Sequence, residues 1–488
     1  MSTLFQFNRI IPTRPLKALF ASASLAALSL LAAPAAHAAS AQGIAAGNLF
    51  NCTLTTGNGV MCWGYNQLGQ MGVGAVSTYQ TTPTFVTGLS TGASAVAAGG
   101  QHACALTTSG TVKCWGRNGG GQLGNGTMTD SPSPVDVIGL NGVTALSLGN
   151  VHSCALTASG TVKCWGTGAG GALSNGGVAN ALTPVDVVGV TGAVGIAAGS
   201  THSCAVLASG AVQCWGANGW GQLGNGQATS STTRVNAVGI SDAVSITAGA
   251  GFTCAKSSGG AVKCWGLNTL GQVGNNGSPT VNVLVPTQVS GLTSGVVALA
   301  SGPGASHSCA TLNTNETRCW GQNQKGQLGN GNLIDQKTPV VATGLSGLPS
   351  RLSVSSFNSC ALIGAQVQCW GDNTYAQLGT GNANAVPFPV SVIGFDGSAP
   401  ALAPTTLSPV TSTTPLYIWK AVPGATNYHL NVNGAIGTYT AAAVGCDGGV
   451  GLCSVPSGTL SAGTYTWYVQ GYNSFGDGAW SAATVFKL

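Results

Sequence analysis

The chain has 488 residues, of which only 5% are charged and 44% hydrophobic, and 76 are glycine. Ordinary soluble domains carry about 25% charged residues, and a disordered chain needs many charges and few apolar residues, so disorder is excluded. The net charge of +5 comes from fifteen Lys and Arg against ten Asp and Glu, with Arg9, Arg14 and Lys17 at the extreme N-terminus. No basic cluster is left to follow a phosphate backbone, and nucleic acid is not an expected partner.

In chain order, the first 38 residues read as an export signal. A positive stretch ends at Lys17, residues 18–33 are apolar, and Ala36-His37-Ala38 places small residues where a signal peptidase would cut before Ala39. The apolar run falls short of the ~20 residues of a membrane span, so no span is expected after cleavage.

Of sixteen cysteines, fourteen form seven local pairs: Cys52 with Cys62, Cys104 with Cys114, Cys154 with Cys164, Cys204 with Cys214, Cys254 with Cys264, Cys309 with Cys319, and Cys360 with Cys369. Cys446 and Cys453 make an eighth. Behind an export signal, pairs at fixed spacing mean disulfides and an oxidising destination: periplasm, cell surface or medium. Zinc favours Cys-x2–4-Cys spacing with four ligands together, whereas each pair here is wide and alone on its hairpin, so no metal is expected.

The first cysteines of the pairs are spaced 52, 50, 50, 50, 55 and 51 residues apart, a period that signals a stacked or circular array. A typical unit runs ALSLGNVHSCALTASGTVKCWG over residues 145–166, followed by a Gly-rich turn and TPVDVVG over residues 183–189. Cys-Ala-Leu and Thr-Val-Lys-Cys-Trp flank a Ser-Gly turn and predict a β-hairpin. The Pro-Val-x-Val-x-Gly stretch predicts a strand with proline at its start, and Leu-Ser-Leu-Gly predicts a fourth. Four strands per ~50 residues, repeated radially, fit a propeller blade.

The segments GGQHACAL (99–106), GTVKCWGRN (110–118) and GQLGNG (121–126) resemble the repeat of the regulator of chromosome condensation family, and the resemblance covers residues 39–398 in seven copies. It implies a seven-bladed β-propeller, usually closed by pairing strands from both ends of the array. The cysteine pairs resemble those of exported bacterial relatives rather than the nuclear member. That nuclear member promotes nucleotide exchange on a small GTPase and docks on chromatin, partners an exported chain would not meet.

Residues 399–404 read as a linker. In residues 405–488, LYIWKAVPGATNYHLNV (416–432), AGTYTWYVQGYN (462–473) and Trp480-Ser481 form alternating aromatic strands that resemble a fibronectin type III-like sandwich. Trp419, Tyr428, Tyr465 and Trp467 are expected mostly in its core, with a glycan platform as the alternative. The fold class expected is all-β: a seven-bladed propeller followed by this small β-sandwich.

Chemistry is hard to find. The chain has ten acids and Glu316 is its one glutamate, while Asp136 and Asp186 occupy equivalent repeat places rather than forming a catalytic dyad. His102, His152, His202 and His307 each precede a cysteine by two residues and could form a ring of ligands. Phe50, Phe252 and Asn358 fill the same slot elsewhere, and phenylalanine cannot ligate, so a structural slot is expected. The Gly-Gln-Leu-Gly-Asn-Gly stretches lack the helix and the Lys-Ser or Lys-Thr of a phosphate loop. No catalytic residue and no cofactor are expected.

The residue before each Gly-Gln-Leu-like turn varies while its neighbours barely change: Leu68, Gly120, Gly170, Trp220, Leu270, Lys325 and Tyr375. In a closed ring these share one face, and Leu68, Trp220, Leu270, Lys325 and Tyr375 are expected to form part of a partner-binding patch. The alternative is that each packs locally on its own blade. The expected function is a monomeric, exported, non-catalytic recognition protein for a macromolecular partner, with a protein the favoured class. An inhibitory role is one version, since exported propellers of this repeat class include β-lactamase inhibitors. A surface adhesion or glycan-binding protein and a hydrolase with an unrecognised site are the alternatives.

Overall fold

The computed structural model describes residues 40–278, 281–395, 406–407, 416–422, 425–433, 435–446, 452–456, 460, 464–473, 476–481 and 484–487. The expected export signal and the linker at 399–404 lie outside the described residues.

Each repeat becomes one four-stranded antiparallel sheet. In the first, β1 (Ala41–Gly47), β2 (Phe50–Thr55), β3 (Val60–Tyr65) and β4 (Tyr79–Phe85) are hydrogen-bonded in chain order. Among the described residues, six further sheets repeat that order. In the second sheet the Ser-Gly turn closes the hairpin because Gly110 accepts a positive φ (83°), and its N donates to Thr107 O; Asn58 and Asn315 take that place in the first and sixth sheets.

The hairpin register decides the cross-links. It sets Cys52 directly opposite Cys62, Cys104 opposite Cys114, Cys154 opposite Cys164 and Cys204 opposite Cys214. Cys254 likewise faces Cys264, Cys309 faces Cys319 and Cys360 faces Cys369. Each of these seven pairs is a disulfide, as expected, with Cα atoms 4.0–4.1 Å apart. The glycine of Cys-Trp-Gly then breaks the ladder. Gly116 has φ 99°, and a Cβ there would meet Gln101 O at 2.6 Å, so the strand bends and the register shifts between Cys114 and Gly116.

Adjacent sheets bury their apolar faces against each other. Leu106 and Val112 of the second sheet pack with Ala155 and Trp165 of the third. Ala41, Met61 and Trp63 of the first pack with Leu362, Val367, Leu378 and Val392 of the seventh. The innermost strands of six sheets, and Ser301 just after that of the sixth, line a cavity of about 220 Å3, with Ala45, Ala97, Ser147, Ala197, Thr247 and Ser353 among its walls.

The closure differs from what the family resemblance implies. Among the described residues, the first and seventh sheets each consist of consecutive strands, with no strand exchanged between the ends. The array begins on an inner strand (Ala41–Gly47) and ends on an outer one (Val386–Ser391), so the chain ends fall between sheets rather than within one. Ala41 N donates to Ala365 O and Gly381 N to Thr81 O, Ala46 N donates to Ser353 Oγ at 2.8 Å, and Trp63 Nε1 donates to Gln377 O at 2.9 Å. One short 3-10 turn (Ala169–Gly171) appears in a repeat where no helix was expected. It follows Gly168, which stands where the other repeats carry asparagine.

In the C-terminal module, Thr406–Leu407, Leu416–Lys420 and Leu452–Pro456 form one sheet, and Asn427–Val432, Ala435–Thr440, Thr464–Asn473, Gly476–Trp480 and Thr484–Lys487 form another. Trp419, Tyr428 and Trp467 are fully buried between them, with Tyr465 partly buried against that core. Tyr428 Oη accepts from Val422 N at 2.9 Å, and Cys446 with Cys453 supplies the eighth disulfide.

Candidate functional site: the turn rim

Six of the seven Gly-Gln-Leu-like turns are built around a buried asparagine, the exception being the turn that follows Gly168. Asn118 Oδ1 accepts from Leu123 N at 2.9 Å, while its Nδ2 donates to Thr127 O and Thr129 O at 3.0 and 3.1 Å. Asn66, Asn218, Asn268, Asn323 and Asn373 accept in the same way from the residue five positions on. The turn glycine is forced by its neighbour: Gly121 has φ 84°, and a Cβ would reach Leu182 Cδ2 of the next sheet at 2.6 Å.

The glutamine then fixes the variable position. Gln122 Oε1 accepts from Gly120 N at 2.8 Å. Gln70, Gln222, Gln272, Gln327 and Gln377 do the same for Leu68, Trp220, Leu270, Lys325 and Tyr375. These residues therefore occupy one backbone position repeated around the array. Gly170 lacks the cap because Ala172 replaces the glutamine.

Three of the side chains reach the following sheet. Trp220 is 43% exposed and lies over Gly251, where a Cβ would meet Trp220 Cε3 at 2.4 Å. Tyr375 packs edge-on against Tyr65, ring centroids 4.9 Å apart. Lys325 Nζ is 3.9 Å from Asp372 Oδ1, with the lysine half exposed. Leu68 and Leu270 are half-buried. Local packing and outward presentation thus coexist at this row.

The histidines are seam residues. Ser153 Oγ donates to Gln122 O at 2.9 Å, so it accepts from His102 Nε2, 2.8 Å away. His202 with Thr253 and His307 with Ser359 repeat that chain, and His152 meets Ser203 at 2.7 Å. All four rings are fully buried and their Nδ1 atoms have no hydrogen-bond partner. Burial lowers the pKa of His102 to about 3, helped by His152, and burial lowers that of His152 to about 4. His202 falls to about 3 from burial and then from His152, and His307 to about 3 from burial. They are neutral at neutral pH and donate through Nε2 where the tautomer is fixed.

This pairing was missed in the sequence, although the signal was there. Where the preceding sheet carries Phe50, the next carries Ala103 instead of a hydroxyl residue, and Asn358 faces Asn51, with Nδ2 3.5 Å from Oδ1. Phe252 breaks the match, and Ser308 bonds Ser301 Oγ at 2.7 Å instead. Asp136 and Asp186 are repeat features as expected: each pairs with the lysine across the ladder, Lys113 at 2.6 Å and Lys163 at 2.7 Å, at the surface. Among the described residues, no group of three or more His, Cys, Asp or Glu is placed to hold a metal ion.

The sequence description "Regulator of chromosome condensation (RCC1) repeat" matches residues 93–122, 143–171, 193–227, 243–272 and 296–327. A second form with the same description matches residues 58–106, 109–156, 260–311 and 319–360. The probable E3 ubiquitin-protein ligase HERC4 of Rattus norvegicus is 39% identical over 92 residues, 19% of this chain and 9% of that protein. Protein RCC2 of Mus musculus is 39% identical over 87 residues, 17% of this chain and 16% of that one. The chain thus matches only a small part of the length of these relatives. Among solved structures, human WBSCR16 aligns with a TM-score of 0.58 at 25% identity, over 64% of this chain and 84% of that one. Prp20p from Saccharomyces cerevisiae aligns at 0.57 and 21% identity, over 64% and 80%. The chain belongs to the regulator of chromosome condensation repeat family, and its four-stranded sheets are those of a β-propeller of that family.

Proposed function

We propose that this chain is an exported, non-catalytic recognition protein that binds a protein partner through the turn rim of a seven-bladed propeller. The observation that carries the reading is the row capped by the glutamine side chains. One backbone position is held constant while its side chain runs from glycine to tryptophan, and Trp220 stands 43% exposed there. A rigid frame with a variable, aromatic-bearing rim is what an interface anchor requires. For a propeller of the same fold, Prp20p, binding to Gsp1p and histones is described. That supports a protein as the class of partner and names no partner here.

The signal-like residues 1–38 and the disulfides support export to the periplasm, the cell surface or the medium. Residues 405–488 would serve as a fibronectin type III-like spacer. Burial of Trp419, Tyr428 and Trp467 removes three of the aromatics a glycan platform there would use.

The test is capture by the full chain from its native envelope or medium, identified by mass spectrometry, against the variant carrying Trp220→Ala and Tyr375→Ala. A partner held by the parent chain and lost by the variant, at unchanged melting, supports the reading. Equal capture by both removes the patch.

A further inference from the structure

At the hairpin end of each sheet, the inner strand sets one residue opposite one residue of the second strand. In the first four sheets that pair is a small residue against a buried aliphatic one: Gly43 with Leu54, Ala95 with Leu106, Ala145 with Leu156 and Gly195 with Val206. In the last three the row turns polar: Ser245 faces Lys256, Ala298 faces Thr311 and Arg351 faces Leu362. Thr311 is fully buried and its Oγ1 has no hydrogen-bond partner.

A cavity of about 370 Å3 opens across these same three sheets and reaches Ile44 of the first, with Lys256, Arg351, Val244, Val297 and Leu352 among its walls. No acidic residue lines it, and among the described residues neither cation forms an ion pair. Val244 and Val297 are each 52% exposed. Arg351 is exposed and Lys256 half-buried, so both charges stand at the open side of this space. Two cations without an acidic partner, beside the exposed Val244 and Val297, are complementary to an anion that carries a hydrocarbon body.

We propose that this cavity is a binding site for an apolar organic anion. The Arg351 guanidinium and the Lys256 ammonium hold its carboxylate, and Val244, Val297 and Leu352 take its hydrocarbon part. The volume is that of a small-ligand pocket. The site lies at the opposite strand end from the turn rim. The second strand of the fifth sheet (Phe252–Ser257) starts beside Gly251, under Trp220, and reaches Lys256 just before its hairpin turn. It therefore stands independently of the proposed partner patch.

The test is calorimetric titration of the full chain with octanoate, with octylammonium and acetate as controls. Octanoate is expected to bind saturably, octylammonium not at all, and acetate far more weakly. Lys256→Leu and Arg351→Ala should each weaken octanoate at least about ten-fold. Melting should be preserved, because the other six sheets carry neutral residues at each of these positions. Absence of octanoate binding, equal binding of octylammonium, or undiminished binding in both variants would overturn the site.

Discussion

Trp265 and Trp220 meet the same turn from opposite sides. Trp265 is fully buried, and its Nε1 donates to Gln222 O at 2.9 Å. Trp220, two residues before Gln222, is 43% exposed and merely rests over Gly251. One tryptophan joins two sheets and the other decorates the rim. The indole-to-carbonyl bond recurs at every seam, including Trp63 to Gln377 O where the array closes. The constant half of each turn thus works for the neighbouring sheet, which leaves its other half free to vary without loosening the ring.

Acid should separate seam from rim most strongly. The four buried histidines have folded pKa values of about 3 to 4 against 6.5 when free. The unfolded chain therefore binds more protons below pH 6.5, and stability present above that pH is lost as pH falls toward 3. Each histidine contributes a slope of about 1.4 kcal/mol per pH unit in that window. Urea unfolding between pH 7 and 4 should show this loss, and changing His102→Phe together with Ser153→Ala should make it shallower by one proton.

The two tryptophans come next. Trp265→Ala should cost about 3–5 kcal/mol through the cavity it leaves, and Trp220→Ala under about 1 kcal/mol, both read from denaturant midpoints. Between those two, Ser153→Ala strands the buried Nε2–H of His102 and should cost about 1–3 kcal/mol. Adding His102→Phe should recover part of that, because Phe50 already sits beside Ala103 in the first seam. A cycle in which the two changes simply add would remove the pairing. Asp136→Ala breaks an exposed ion pair with Lys113 and should cost less than about 1 kcal/mol, vanishing at high salt.

Much of the array was legible in the sequence. Fixed cysteine spacing carried the repeat, the hairpin and the disulfide register, since residues opposite each other across a tight turn must sit at constant separation. The variable row was legible because Gln122, Gln222 and their equivalents stay fixed beside it in six of the seven repeats. The phase of the closure was not, because a period does not say whether the chain ends fall within a sheet or between two. The seam pairs escaped because His102 and Ser153 are 51 residues apart, and the match becomes visible only once adjacent sheets are known to meet there. Lys256 and Arg351 carry no signal in the sequence alone, because their meaning depends on the row that contains them.

Melting of the full chain with Leu68, Trp220, Leu270, Lys325 and Tyr375 all replaced by alanine tests most directly whether seams alone hold the ring. A melting temperature within about 2 °C of the parent is expected. A fall as large as that produced by Trp265→Ala would show that the rim is part of the frame.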